Sequence, residues 1–371
     1  FILKVAITGK EGFIGYHLYN TILYSQDDLK IVDFPKTLFY DKSKLDKLIE
    51  SVDVIIHLAG INRSDDDDLL LNTNIDLSKK IASSAERTNF KGKIIFASST
   101  LEKSKTIYGK SKKISNNIFL KSSKTHKYSY TSIVIPNVFG PFCKPNYNSF
   151  ISTFCHNLIF AEKINIQVDK EVKLIFINNL IKEILNIIKN KSQNRVEITE
   201  DISIKVSSVK CFLEEFNTCY ITKNQIPSLN SDFEKNLFIT FQSFIKIEDF
   251  PKINKLSIDN RGKFSEIVRS YSEGQSSFST TNSGITRGNH FHTRKIERFT
   301  VIKGQALIEV RKIGTKDKIS FKLDGESPSF VDMKVWHTHN IKNIGNSDLI
   351  TFFWINEFYN EDDPDTFFEK V

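Results

Sequence analysis

The chain has 371 residues, 40% of them hydrophobic, and a formal charge of +8. That length is more than one core usually organises and suits two domains. No apolar run reaches bilayer length, the lysines are scattered with no nucleic-acid recognition module, and Cys143, Cys155, Cys211 and Cys219 match neither a zinc knuckle nor a disulfide scaffold. Membrane, nucleic-acid and disulfide-scaffold classes therefore drop out. No basic-then-apolar leader stands ahead of the first strand, and the unpatterned cysteines make a reducing, cytoplasmic setting the expectation.

Residues 2–8 are an apolar run expected as a buried strand, and Gly9-Lys10-Glu11-Gly12-Phe13-Ile14-Gly15 follows it. Gly9 allows a tight turn, Gly12 lets a pyrophosphate approach the helix N-terminus, and Gly15 lets helix and strand pack closely. The placement at a strand–helix junction makes this a dinucleotide loop, with Phe13 and Ile14 counted among its cofactor contacts. The next strand, 29–32, ends at Asp33, eighteen residues after Gly15, where an acid commonly holds the ribose hydroxyls of NAD. Lys36, three residues on, is placed to face a 2′-phosphate instead, so the chemistry alone leaves the cofactor form open.

Residues 52–58 are the third strand, and Leu58, Ala59 and Gly60 at its end can pass close beneath a dinucleotide. The acidic loop 65–68 reads as a solvated turn or helix start, and Asn74 lies in the helical pattern beyond it. Residues 93–97 form a further strand, closed by Ser98-Ser99-Thr100. Tyr108 and Lys112 are four apart, on one helical face. An ammonium beside a phenol is expected to lower its pKa, and a serine hydroxyl can hold a carbonyl while the phenol donates its proton. Ser99, Tyr108 and Lys112 therefore read as a reductase triad acting with a bound nicotinamide.

Residues 133–138 are another strand, and the loops 136–141 and 144–149 at its end are placed to line a site. Helices are expected over 150–160, 180–189, 210–218 and 230–244, with a strand at 201–206. His57, His126 and His156 have no visible partner set and read as core or surface residues.

From 245 the pattern changes to short strands separated by Gly and Asp, an all-β unit of about the size of a double-sheet barrel. Its chemistry lies in GITRGNHFHTRKIERFTVIKG, residues 284–304, and in Trp336-His337-Thr338-His339. These two stretches hold four of the eight histidines. His290 and His292 share a strand face; with Glu297 and a downstream imidazole they make a good site for a borderline metal ion. The terminal segment 359–371 is expected on the outside of this unit or against a partner subunit.

On Gly9-x-x-Gly12-x-x-Gly15, His57-Leu58-Ala59-Gly60, Asn74, Ser98-Ser99 and Tyr108-x-x-x-Lys112, residues 1 to about 240 resemble the extended short-chain dehydrogenase/reductases, which include nucleotide-sugar epimerases. The resemblance implies a doubly wound Rossmann-type α/β domain, with Ala59 and Gly60 near the cofactor and Asn74 supporting the site. Gly284, His290, His292, Glu297 and Gly304 resemble the first cupin motif; His339 and Asn343 fit the second, in which Met333 and Val335 replace the usual proline and glycine. That resemblance implies an all-β cupin, a double-stranded β-helix or jelly roll, with His290, His292, Glu297 and His339 around a metal.

The pairing of the two halves resembles a family of bifunctional capsular-polysaccharide enzymes. It implies domains at 1–244 and 245–371, a UDP-linked 2-acetamido-2,6-dideoxy-4-keto-hexose substrate, C3 epimerisation by the cupin half, reduction of the C4 ketone by NADPH, a zinc ion and a homodimer. His337 and Lys303 stand as positional candidates for the epimerising base. The alternatives are a reductase whose cupin only binds sugar or holds a dimer, and a metal-dependent dioxygenase in the second half.

Overall fold

The computed structural model describes residues 2–147, 149–190, 193–260 and 262–371; Asn148, in one of the loops expected near substrate, lies outside them. The chain packs as two compact units, one of Phe1–Phe139, Cys143–Ile151 and Lys170–Lys205, the other of Gly140–Phe142, Ser152–Asp169 and Val206–Val371. The sequence boundary falls after 244, yet residues 206–244 pack within the second unit. The reason lies in the core: Tyr220 hydrogen-bonds both Asp332 and Gln242, so this helical stretch shares buried polar partners with the strands that follow.

The first unit is built on β1 (Leu3–Thr8), α1 (Phe13–Ser25), β2 (Leu29–Val32), α2 (Lys42–Glu50), β3 (Val54–His57), α3 (Asp67–Arg87), β4 (Lys93–Ser99), α4 (Ile107–His126), β5 (Ser129–Ile135) and β6 (Asn137–Phe139). After α5 (Phe150–Ile159), which lies mostly in the second unit, it resumes with β7 (Glu171–Phe176), α6 (Ile177–Lys189), β8 (Arg195–Glu197) and β9 (Ile202–Lys205). Its main sheet runs β2-β1-β3-β4-β5-β8, every pairing parallel. The order turns back at β1, and that reversal opens a crevice at the C-terminal strand ends. The strands read as continuous apolar runs because both faces are covered; Ile55, Ile56, Ile94 and Ile95 are fully buried. In α6, Leu180, Ile181, Ile184, Leu185 and Ile188 make one buried stripe, each burial contributing about 1.5–3 kcal/mol.

Helix starts are written in the sequence. Asp41 caps α2 through the Lys44 amide, and Thr106 caps α4 through that of Gly109. The acidic loop is a helix start: Asp66 caps α3, and Asp67 and Asp68 occupy its first turn, where the helix dipole favours negative charge. The cap of α1 is Gly12, with no side-chain hydrogen bond, so the first amides of that helix are left for another acceptor.

The second unit adds α7 (Val206–Phe216) and α8 (Asp232–Gln242), then β10 (Lys252–Ile253), the hairpin β11 (Leu256–Asp259) and β12 (Gly262–Ser265), β13 (Gln275–Thr281), β14 (Thr286–Phe291), β15 (Glu297–Lys303), β16 (Gln305–Lys312) and β17 (Lys318–Asp324). It ends with β18 (Ser329–Met333), β19 (His337–Asn343), β20 (Leu349–Ile355) and β21 (Phe367–Phe368). Two five-stranded sheets form, β10-β18-β15-β20-β13 and β17-β16-β19-β14-β21, antiparallel throughout. The terminal segment lies along the edge of this structure, where β21 pairs with β14.

Candidate functional site

In the first unit the glycine loop is shaped by close backbone approach. Gly9 sits at φ +75, and a Cβ there would stand 2.9 Å from the Ala59 nitrogen. At Gly15 a Cβ would come within 2.1 Å of the Gly9 carbonyl oxygen, so any side chain would push α1 off β1. Phe13 and Ile14 open α1 between these glycines. The Leu58 and Ala59 amides donate to Thr8 Oγ1 at 3.2 and 3.1 Å. A Cβ on Gly60 would meet Asn74 Oδ1 at 2.9 Å. Asn74 is buried rather than on the surface; it accepts from the Ile61 amide at 2.7 Å and donates to the Ile61 carbonyl and to Ser111 Oγ at 2.9 and 3.1 Å.

A buried polar chain thus runs from the glycine loop to α4. Thr8 Oγ1 bonds His57 Nδ1 at 2.9 Å, His57 Nε2 meets Ser78 Oγ at 3.3 Å, and Ser78 donates to the Asn74 carbonyl at 2.9 Å. Asn74 reaches Ser111, which donates to the Tyr108 carbonyl at 2.7 Å. His57 is therefore a core residue, as expected, and burial, with Lys112 nearby, pushes its pKa down to about 3. Thr8, Ser78 and Ser111 carry no motif, which hides this chain in the sequence.

Lys112 is buried, and its Nζ donates to the Ala97 carbonyl on β4 at 2.8 Å. The same Nζ lies 5.5 Å from the centre of the Tyr108 ring. Ser99, the last residue of β4, accepts from the Leu101 amide at 3.2 Å. The pKa expectation is corrected: burial, then the neighbouring Tyr147, raises that of Tyr108, and burial lowers that of Lys112 to about 8. Desolvation of the phenol sets the direction. Tyr147 also accepts from the Asn62 amide at 3.2 Å, and Arg63 Nη1 donates to the Asn146 carbonyl at 2.7 Å, so this loop is pinned to the turn after β3. Asp33 is ion-paired with Lys10 of the glycine loop, a partner the sequence reading did not name, and Lys36 is exposed.

In the second unit His290 on β14, His292 just after it, Glu297 opening β15 and His339 on β19 converge, each offering a ligand atom within 4.8 Å of the others. His290 and His339 face each other in register across the strand pair. Glu297 Oε2 lies 3.2 Å from His292 Nε2 and 3.0 Å from His339 Nε2. Two donors each roughly 2 Å from a tetrahedral ion stand about 3.3 Å apart, so these spacings fit.

The outer ring nitrogens agree. Nδ1 of His292 donates to the Asp365 carbonyl at 2.6 Å, and Nδ1 of His339 to that of His337 at 3.2 Å. His290 is hydrogen-bonded to the Gly288 backbone. Such partners fix the tautomer and turn the other nitrogen's lone pair inward. Burial, then His339 and His292, lowers His290 to about 4. Burial alone would raise Glu297, but hydrogen bonds with His292 and His339 outweigh it and hold its pKa well below the usual carboxylate range. Burial would lower His292, but its contact with Glu297, then the Asp365 backbone, raises it, so a divalent cation binds there in competition with a proton. Of the two base candidates, Lys303 is exposed, and His337 is half-buried with Nδ1 on the Val335 carbonyl at 2.9 Å.

A parallel sheet with a glycine loop at its first strand–helix turn and a Tyr/Lys helix against the fourth strand defines a nicotinamide-dependent enzyme of the Rossmann type. Residues 5–199 match the NAD dependent epimerase/dehydratase family, and residues 257–367 match the polysaccharide biosynthesis C-terminal domain. The chain belongs to the NAD dependent epimerase/dehydratase family.

It is 30% identical to the UDP-2-acetamido-2,6-beta-L-arabino-hexul-4-ose reductase of Pseudomonas aeruginosa, over 98% of each chain. The solved structure of the capsular polysaccharide assembling protein CapF from Staphylococcus aureus matches with a TM-score of 0.63 at 28% identity, covering 99% of this chain and 100% of that one. RMD from Pseudomonas aeruginosa, solved with NADPH, matches at TM-score 0.53 and 16% identity over 58% of this chain and 82% of its own, a likeness of fold.

Proposed function

We propose that the chain is a bifunctional nucleotide-sugar enzyme of capsule or O-antigen synthesis. It epimerises C3 of a UDP-2-acetamido-2,6-dideoxy-4-keto-hexose and then reduces the C4 ketone to a UDP-N-acetyl-6-deoxy-talosamine type product. The observation that carries this is a nicotinamide fold with a Tyr108–Lys112 pair and a His/Glu cluster within one chain that is alike from end to end to a UDP-hexul-4-ose reductase. The parallel-sheet unit carries reduction and the unit of the two antiparallel sheets epimerisation. The two β-sheets of the second part are read as a cupin, its ion as zinc, and the enzyme as a cytoplasmic homodimer. Among the described residues, no helix is long and apolar enough to cross a membrane.

One carbonyl serves both steps. A C4 ketone acidifies the C3 hydrogen; its removal gives an enediolate, and return of a proton to the opposite face inverts C3. When bound, NADPH supplies the hydride that reduces C4. Tyr108, kept protonated by burial, donates its proton to the C4 oxygen. Lys112 binds the nicotinamide ribose and sets the electrostatics of the phenol, and Ser99 orients the ketone. Gly9, Gly12 and Gly15 keep the loop low enough for a pyrophosphate on the α1 amides. His290, His292, Glu297 and His339 would hold the zinc, and with four protein donors it would order the pocket rather than polarise substrate.

The pairing of Asp33 with Lys10 bears on cofactor choice. The acid that would hold the 2′-hydroxyl is engaged by Lys10, and the exposed Lys36 is left for a 2′-phosphate. Replacing Lys36 by alanine is expected to weaken NADPH by roughly tenfold, the worth of one charge-assisted hydrogen bond, and NADH hardly at all, by fluorescence titration. Equal losses for both cofactors would remove Lys36 from the phosphate site. The function as a whole is tested by NMR of the product formed from the UDP-4-keto sugar and NADPH: a C3-inverted, C4-reduced sugar is expected, and reduction with C3 unchanged leaves only the reductase.

A further inference from the structure

We infer that Asp365, on the C-terminal segment, is a positioning residue for the metal cluster: it shapes the loop that carries His292 and orients that imidazole. Its carboxylate accepts from three successive backbone amides, those of Thr293 at 3.1 Å, Arg294 at 2.9 Å and Lys295 at 3.0 Å, and from Thr293 Oγ1 at 2.7 Å. Its own carbonyl accepts from His292 Nδ1 at 2.6 Å. One residue therefore fixes both the main chain between β14 and β15 and the ring on it. Asp365 is buried and held at φ 43, a left-handed conformation that aspartate adopts more readily than most residues.

The segment around it is latched on both sides. Lys295 Nζ donates to the Pro364 carbonyl at 2.7 Å. Phe367 stacks on Phe291 with ring centres 5.2 Å apart, and Phe368 stands opposite His290 in the strand pairing. The Glu369 amide donates to the Asn289 carbonyl at 2.9 Å, and Arg311 Nη2 donates to Glu369 Oε1 at 2.8 Å. His290 on β14 and His292 on the loop after it thus both lean on the last residues of the chain. A carboxylate saturated by loop amides holds the carbonyl of the same residue where His292 must donate, and that donation leaves Nε2 free to bind an ion.

This rests on the four-ligand metal reading, and its test separates the two. The full chain with Asp365→Ala is expected to bind zinc about 10–100-fold more weakly in competition with a chromophoric chelator. The visible bands of the cobalt-loaded protein shift, while its far-UV circular dichroism stays that of the parent. Asp365→Asn, which keeps an acceptor oxygen and loses the charge, falls between the two, and it decides the matter by the same readings if Asp365→Ala does not fold. Parent-like zinc affinity with an unshifted cobalt spectrum overturns the assignment of Asp365. Parent-like zinc affinity in His339→Ala overturns the metal reading itself, and this inference with it.

Discussion

Tyr108→Phe is expected to lower NADPH-dependent reduction of the 4-keto sugar by about 10²–10⁴-fold, the usual worth of a positioned proton donor, while leaving proton exchange at C3 untouched. The phenol is the acid of the first unit alone; the ring packing and the Lys112 contact to Ala97 survive the change. The pH profile should agree. Burial lowers Lys112 to about 8, so its charge is lost as pH rises through about 8 rather than through its ordinary 10.5, and reduction falls there. For stability the sign is the opposite of a salt bridge's. The unfolded chain binds this proton more tightly, so the contribution of Lys112 is greatest above pH 10.5, is lost as pH falls towards about 8, and changes no further below that. Full reductase turnover in Tyr108→Phe would sink the triad.

Much of the first unit was legible because its signals are local. A glycine spacing, an apolar run and an i, i+4 pair are read within a dozen residues, and the strand ends fell within a residue or two for β1 and β3. The sign of the Tyr108 shift was not legible: the lysine four residues away is visible in the sequence, but the depth of burial that decides the direction is set by residues brought in from distant strands. Nor was the Lys10–Asp33 pair, which joins residues from two successive strand–helix turns. In the second unit the clustering of His290, His292 and Glu297 was readable from local spacing, and that of His339 from the motif resemblance. Asp365 was not, because it stands more than seventy residues from the loop it holds. Residues 206–244 read as helices of the first half, since the contacts that reveal which core they join, such as Tyr220–Asp332 and Arg298–Asn224, reach residues far along the chain.

The other large effect is expected at the metal centre. His290→Ala removes one of four donors. A full tetrahedral site is worth about 10–16 kcal/mol, so a quarter of it, roughly 2.5–4 kcal/mol, corresponds to a zinc affinity lower by about 10²–10³. Metal content measured after dialysis should fall accordingly. C3 exchange should stop with it, because β14, β15 and β19 meet at this cluster. NADPH binding, a property of the first unit, should persist. Undiminished zinc in His290→Ala would take that residue out of the ligand set.

The most direct measurement is solvent-label transfer without nicotinamide. The full chain is incubated with the UDP-4-keto sugar in deuterium oxide, and the ring beside the carbonyl is followed by NMR. Deuterium should enter C3 in the parent and in Tyr108→Phe alike, and added NADPH should trap the labelled, inverted sugar as the reduced product. If C3 keeps its original hydrogen while NADPH is consumed, the chain reduces without epimerising and its second unit has another purpose.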